Sequence, residues 1–130
     1  MNRDEWINYI AGTYDEDAEF PWAKYPKDMV FRHSNNRKWF ALIMEIPKEK
    51  LGIPGDGMLD ILNVKCDPVL IDSLRKEPGF FPAYHMNKTN WVTVALDGSA
   101  DDDRIKLVLD MSFELTARKV KRAAGANEGC

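Results

Sequence analysis

Proline and glycine interrupt the first hundred residues so often that this part of the chain can form only short helices and strands. Proline lacks the amide hydrogen that a helix interior or a central strand requires, and glycine weakens both. The interruptions are Pro21, Pro26, Pro47, Pro54, Pro68, Pro78 and Pro82, with Gly12, Gly52, Gly55, Gly57, Gly79 and Gly98. We therefore expect the longest regular element after Gly98 and short elements before it.

Three segments have the capping residues and apolar spacing of helices. The first is predicted over residues 3–11, where an asparagine cap and a glutamate three residues later resemble a capping box. The second begins at Pro68, since proline fits the first turn of a helix and Asp67 before it can cap the free amides. The third is a long helix capped by Ser99 or Asp101, with acids in its first turn and bases in its last.

Four strands are predicted from alternating β-branched and aromatic residues bounded by turn residues. The first two, residues 29–33 and 38–46, flank a turn of serine and asparagine and therefore form a hairpin. The others cover residues 61–66 and 91–96. Further short strands are allowed within residues 51–60 and 80–86. The resulting order, α-β-β-β-α-β-α, predicts an α+β fold in which helices flank an antiparallel sheet.

The length of 130 residues suits one domain with a core of its own. We expect that domain over residues 1–122 and a disordered tail over residues 123–130. No apolar run approaches the roughly 20 residues needed to cross a bilayer, and the N-terminus has acids where a signal peptide would have an apolar core. The expected state is a cytoplasmic monomer or weak dimer with no membrane attachment.

Neither the cysteines nor the histidines predict a bound metal or another cofactor. Cys66 is expected to pack as a small apolar residue, and Cys130 is the last residue of the chain. No CxxC pair is present, and His33 and His85 are far apart, so the ligand spacing of a zinc site is missing. The GxSxG and HExxH motifs are absent as well, which predicts a protein that is not an enzyme and has no catalytic residues.

The densest group of candidate binding residues is the segment 82–91, Pro-Ala-Tyr-His-Met-Asn-Lys-Thr-Asn-Trp. It offers a lysine charge, a two-way amide, and rings on which a planar group can stack. Bases on the first hairpin and the third strand form further groups. The candidates for contact with nucleic acid or ligand are Arg32, Arg37, Lys38, Lys65, Tyr84, His85, Asn87, Lys88 and Trp91. Each also has a structural interpretation, because loop side chains can satisfy backbone groups and hairpin bases can protect an edge strand.

A series of short motifs follows one another along almost the whole chain, from about residue 2 to residue 122. They are Phe20-Pro21-Trp22, Val30-Phe31-Arg32, Lys38-Trp39-Phe40-Ala41-Leu42, Val64-Lys65-Cys66-Asp67-Pro68, Pro82-Ala83-Tyr84-His85-Met86-Asn87-Lys88, Trp91-Val92-Thr93-Val94, Leu96-Asp97-Gly98 and Ser112-Phe113-Glu114-Leu115. In their order and spacing they resemble the MmcQ/YjbR family of small bacterial proteins. Two positions depart from its pattern: Phe113 stands where the family often has tyrosine, and Asn90 where it often has histidine.

The resemblance implies a YjbR-like fold, of the α+β kind compared with frataxin and with secretion chaperones. It also implies DNA binding through a double-wing motif. The basic residues of the first hairpin and of the loop of residues 84–91 make these two elements the expected contacts. The net charge of −3 weighs against strong non-specific binding of polyanions. A non-enzymatic DNA-binding domain is the leading interpretation, and a protein- or peptide-binding adaptor and a small-ligand site around His85 stay open.

Overall fold

The computed structural model describes residues 1–117, which form a five-stranded antiparallel sheet with three helices. The elements are α1 (Arg3–Tyr14), β1 (Met29–Arg32), β2 (Trp39–Pro47), a 3-10 turn (Lys48–Leu51), β3 (Met58–Lys65), α2 (Pro68–Leu74), β4 (Phe80–Pro82), β5 (Trp91–Ala95) and α3 (Asp102–Ala117). The strand order across the sheet is β1-β2-β3-β5-β4. The α+β prediction is confirmed, while the domain end at residue 122 and the tail over 123–130 lie outside the described residues.

One helix is longer than predicted, and one of the two optional strands is present. The predicted end of α1 before Gly12 is wrong, because the helix continues to Tyr14. The left-handed conformation that ends it is adopted by Asp15, at φ 54°. The Tyr14 ring stacks on Phe113 with centroids 4.7 Å apart, and such packing outweighs the roughly 1 kcal/mol cost of one helical glycine. The strand allowed within residues 80–86 is present as β4, which pairs with β5.

The two faces of the sheet are covered differently. Helices α1 and α3 pack on one face and bury the larger apolar cluster, whose members include Trp6, Phe31, Phe40, Leu62, Val92, Ile105 and Leu109. The other face carries a smaller cluster of Ile46, Leu59, Ile61 and Ala95, against which Met44, Leu51, Ile53, Phe81 and Tyr84 pack. We call this second face, which loops cover instead of helices, the loop face. None of the helices described within residues 1–117 has the length and apolarity of a membrane span.

A β-bulge near the start of β2 decides which face of the sheet each of two aromatic residues joins. The pairing of β1 with β2 steps from Phe31–Ala41 to Arg32–Trp39, so Phe40 has no partner on β1. An extra residue of this kind breaks the strict alternation of side chains along a strand. Phe40 and Ala41 therefore both join the helix-side cluster, whereas Trp39 is released to the loop face.

A buried polar network fastens the segment after β4 to the loop face. Asn63 on β3 and Thr93 on β5 are register partners, and both side chains are fully buried. The Thr93 hydroxyl donates to Asn63 Oδ1 and accepts from the Tyr84 amide at 2.8 Å, while Asn63 Nδ2 donates to the Tyr84 carbonyl at 3.1 Å. Both backbone groups of Tyr84 are thus satisfied by sheet side chains, which fixes the height of this segment above the strands.

His33, directly after β1, fastens the hairpin to α3. Its side chain is 4% exposed, and its Nε2 lies 2.8 Å from Thr116 Oγ1. The ring also packs against Phe113, with centroids 4.3 Å apart. Burial lowers the pKa of this imidazole below its ordinary value, so the neutral form is the one that the folded protein favours. His33 is a structural residue of the helix side and does not face the loop face.

Removing the Thr93 hydroxyl tests the network. Thr93→Val keeps the shape of the side chain but leaves the Tyr84 amide and Asn63 Oδ1 without a partner. We expect the free energy of unfolding to fall by about 1–3 kcal/mol, measured by urea denaturation, and hydrogen exchange at the Tyr84 amide to accelerate. Thr89→Val is the matched control, since Thr89 is exposed on the same segment. Equal effects of the two variants would contradict the role of the network.

The buried imidazole predicts a pH dependence of stability. The pKa of His33 is lowered on folding, so the unfolded chain binds a proton there more readily than the folded chain. The contribution of His33 is therefore complete above its ordinary pKa of 6.5 and is lost as pH falls below that value. We expect His33→Gln to show a smaller decline in unfolding free energy than the wild type between neutral and mildly acidic pH. Parallel declines in urea denaturation series would exclude this role.

Candidate functional site

A cavity of about 750 Å³ lies on the loop face, between the sheet and the segments that cover it. Strand β2 forms its floor, the segment between α1 and β1 forms one wall, and the segment after β4 forms another. The side chains that line it are mainly apolar or aromatic: Trp22, Tyr25, Pro26, Trp39, Leu42, Met44, Ile46, Pro47, Met58, Tyr84 and Met86, with Lys24, Lys27, Asp28, Glu45 and His85 as the polar members. A mostly apolar concavity with a few polar groups is the usual form of a small-molecule site.

Four aromatic side chains line the cavity: Trp22, Tyr25, Trp39 and Tyr84. Trp22 and Trp39 meet edge to face, with ring centroids 5.9 Å apart and planes at 84°. Trp39 reaches this position because of the bulge in β2. Tyr25 is 61% exposed and Met58 51% exposed, so the rim presents apolar surface to solvent. Burial of such surface by a ligand would release about 25 cal/mol for each Å² covered.

The residues Tyr84 and His85 form the wall after β4. Their rings stack with centroids 3.9 Å apart and planes 15° from parallel. His85 adopts a left-handed backbone conformation, with φ 58°, which is uncommon for a residue with a side chain. Burial raises the pKa of the Tyr84 phenol, and the nearby Tyr25 and Asp28 raise it further. The phenol therefore remains a neutral hydrogen-bond donor at physiological pH.

Asp28 is a buried carboxylate in the cavity wall, with only 5% of its surface exposed. Its Oδ1 accepts a hydrogen bond from the Glu45 amide at 3.0 Å. The nearby Lys27 ammonium pairs instead with the Glu45 carboxylate at 3.3 Å. Within residues 1–117, the other oxygen of Asp28 has no hydrogen-bond donor and is not enclosed, so it is an acceptor that water or a ligand can reach.

The arginines of the hairpin are held by an acidic residue. Arg32 Nε lies 3.3 Å from a Glu19 carboxylate oxygen, and Arg37 binds both oxygens of Glu19 at 3.0 and 3.2 Å. Arg32 also lies over the Trp39 ring, 5.6 Å from its centroid. One carboxylate thus contacts both guanidinium groups, and the group of three side chains keeps a net charge of +1.

The other basic candidates lie at one end of the sheet. Lys65 is the last residue of β3 and pairs with Trp91, the first residue of β5. Lys38 immediately precedes β2 at the same end, and Lys88 lies three residues before Trp91; both lysines are exposed. This end also carries acids, including Glu19 and the Asp67 cap of α2. The structure thus gathers four basic residues at one end of the sheet: Arg37, Lys38, Lys65 and Lys88. None of the four lines the cavity.

Asn87 and Trp91 have structural positions. Asn87 Oδ1 accepts from the Thr89 amide at 2.8 Å, and the Asn87 carbonyl accepts from the Trp91 amide at 2.9 Å, so this residue closes the turn before β5. Trp91 is half-buried at the start of the strand. Of the nine predicted site residues, Tyr84 and His85 alone line the cavity.

Sequence reasoning missed most of the cavity lining. Trp22, Tyr25, Asp28, Trp39, Met44 and Met58 were not among the candidate site residues, although they line the cavity. The run of aromatic residues around Pro21 and Pro26 is the signal that could have indicated a wall, because prolines exclude a helix from such a segment. No cluster of three or more histidine, cysteine, aspartate or glutamate side chains within residues 1–117 is arranged to hold a metal ion.

Comparison with known proteins agrees with this fold. The uncharacterized protein YyaQ of Bacillus subtilis is 37% identical over 116 residues, which span 89% of this chain and 98% of YyaQ. A crystal structure of a Pseudomonas syringae protein matches with a TM-score of 0.87 and 49% identity, over 89% of this chain and 99% of that one. A Deinococcus radiodurans crystal structure, 24% identical with a TM-score of 0.65 over 90% of this chain and 82% of its own, shares the fold. The family model described as YjbR matches residues 12–115, and the chain belongs to the YjbR family.

Proposed function

We propose that this protein is a non-enzymatic binding domain whose ligand is a compact molecule with an aromatic or apolar body, held in the cavity on the loop face. The observation that carries the proposal is the combination of a cavity of about 750 Å³ with a lining of four aromatic rings and three methionines. Large apolar side chains left exposed at a concave surface are a recurrent mark of binding sites.

The construction of the cavity also favours binding. Its floor is a paired strand, and one wall is fixed by the Asn63–Thr93 network, so the site needs little ordering when a ligand enters. Such preorganisation reduces the entropic cost of association. The lining holds no serine, threonine or cysteine among the described residues, and a nucleophile next to a base is the arrangement on which many hydrolytic sites depend. This supports binding without chemistry as the function of the site.

Removal of the exposed aromatic wall tests the proposal. Tyr25→Ala deletes a ring that is 61% exposed, so we expect the fold to be retained. The variant should bind 2-phenylethanol about fivefold more weakly than the wild type, because an aromatic pair contributes about 1 kcal/mol. The measurement is a ¹H–¹⁵N NMR titration, with shifts expected in residues 22–28, 39–47 and 84–86.

Phe20→Ala is the matched control for that experiment. Phe20 is 58% exposed and lies in the same segment as Tyr25, yet it does not line the cavity. Its replacement should leave the affinity for 2-phenylethanol unchanged. Shifts scattered over the whole sheet, or equal weakening by Phe20→Ala and Tyr25→Ala, would contradict a site in the cavity.

DNA binding is a second candidate, favoured by the position of Arg37, Lys38, Lys65 and Lys88 along one end of the sheet. A row of bases projecting from neighbouring strand ends can follow a phosphate backbone. The neighbouring acids and the net charge of −3 reduce this attraction. The proposed contact is therefore weak and depends on Lys38 and Lys88, which are the exposed lysines of the group.

Charge reversal tests the second candidate. A labelled mixed-sequence duplex should show salt-sensitive binding in fluorescence anisotropy, and Lys38→Glu/Lys88→Glu should abolish it, because each lost phosphate contact lowers the salt slope by about 0.9. Arg75→Glu/Lys76→Glu is the matched control, because it makes the same charge change in two exposed residues. These residues follow α2 and precede β4, which starts at the opposite end of the sheet from Lys38 and Lys88. No binding by the wild type at low salt, or equal losses in both variants, would exclude this surface.

A further inference from the structure

We propose that the ligand of the cavity carries a protonated amine on its aromatic or apolar body, and that Asp28 is the residue that selects this charge. The inference rests on the proposed function and adds the chemical class of the ligand. Three observations support it: the accessible, unpaired oxygen of Asp28, the aromatic rings that line the same cavity, and the hydrated positions of the neighbouring lysines.

Asp28 offers an acceptor that nothing else in the described chain uses. Asp28 is only 5% exposed. Among residues 1–117, its side chain accepts one hydrogen bond, from the Glu45 amide to Oδ1. Within residues 1–117, Arg32 Nε is the enclosed side-chain polar atom that lacks a hydrogen-bond partner, so the second Asp28 oxygen is open to the cavity, where a ligand donor can reach it. An ammonium group provides several donors and a compensating charge, and it would satisfy this oxygen directly.

The aromatic rings that line the cavity favour a cation over an anion. The faces of tryptophan and tyrosine are electron-rich and attract ammonium groups within about 6 Å of the ring centroid. Trp22, Trp39, Tyr25 and Tyr84 all line the same cavity as Asp28. Burial raises the pKa of the Tyr84 phenol, and Tyr25 and Asp28 raise it further, so this group of side chains interacts electrostatically. A ligand anion would meet this group with like charge.

The lysines of the cavity do not reverse this preference. Lys27 is paired with Glu45, and its side chain is 66% exposed, so its charge is both compensated and hydrated. Lys24 is exposed at the rim, where water screens its charge. The carboxylate of Asp28 is the buried charge of the cavity, and electrostatic interactions are stronger in a buried position than at a solvated rim.

The experiment compares three probes that share one ring. Phenethylamine and 2-phenylethanol differ in an ammonium in place of a hydroxyl, and 3-phenylpropionate carries the opposite charge. We expect the wild-type protein to bind phenethylamine roughly tenfold to a hundredfold more tightly than 2-phenylethanol in NMR titrations, as a charge-assisted hydrogen bond predicts. Binding of 3-phenylpropionate should be the weakest of the three.

Asp28→Asn assigns the preference to this residue. The amide oxygen of asparagine can still accept from the Glu45 amide, so the wall is kept while the charge is removed. The ratio of the affinities for phenethylamine and 2-phenylethanol should fall to about one in this variant. Asp72→Asn, which removes an exposed carboxylate on α2, is the control for loss of one negative charge and should leave all affinities unchanged.

The outcomes separate the inference from the proposed function. If 2-phenylethanol binds in the cavity but phenethylamine binds no more tightly, the amine preference is overturned and the binding site stands. If no probe binds in the cavity, both are overturned. If Asp28→Asn fails to fold, the comparison of phenethylamine with 2-phenylethanol in the wild type still decides whether the site prefers a cation.

Discussion

The hydrogen bonds that join Asn63 and Thr93 to the backbone of Tyr84 are the constraint on which the loop face depends. A polar pair in the middle of a sheet face is unfavourable unless each group finds a partner. Here the partners come from the segment after β4, which is thereby held above the strands. Tyr84 and His85 owe their place in the cavity wall to this attachment. Without it, the segment would have no fixed height, and the cavity would have no second wall.

The same sheet serves two different purposes because its faces are covered by different means. Helices α1 and α3 cover one face with apolar surface, and the larger apolar cluster lies between them and the strands. Loops cover the other face, and loops cannot fill the space above a sheet as closely as a helix does, since their backbone groups need polar partners of their own. The cavity is the space that this incomplete covering leaves. The bulge at Phe40 contributes as well, because it supplies the core with one aromatic residue and the cavity with another.

The sequence predicted the elements well and the cavity poorly, for reasons that particular residues illustrate. Asp67 and Pro68 carry a local signal for a helix start, and α2 begins where they indicate. Gly12 carries a local signal for a helix end, but the packing of Tyr14 against Phe113 overrides it. The position of Trp39 depends on a bulge, which is a property of the pairing of two strands. Asp28 is buried by residues distant in sequence, so no local pattern distinguishes it from the other acids of the chain.

Glu19 connects the hairpin arginines to the segment that forms one wall of the cavity. Its backbone pairs with Val30 in an isolated bridge beside β1, and its carboxylate binds both Arg32 and Arg37. Glu19 begins the segment that continues through Trp22 and Tyr25 to Asp28, so these contacts fix the start of the cavity wall. Arg32 reaches further, because it also lies over the ring of Trp39. A phosphate group that recruited either arginine would compete with Glu19 and loosen that wall. The hairpin arginines thus have a structural task that is independent of nucleic acid, whereas Lys38 and Lys88 are exposed at the same end of the sheet.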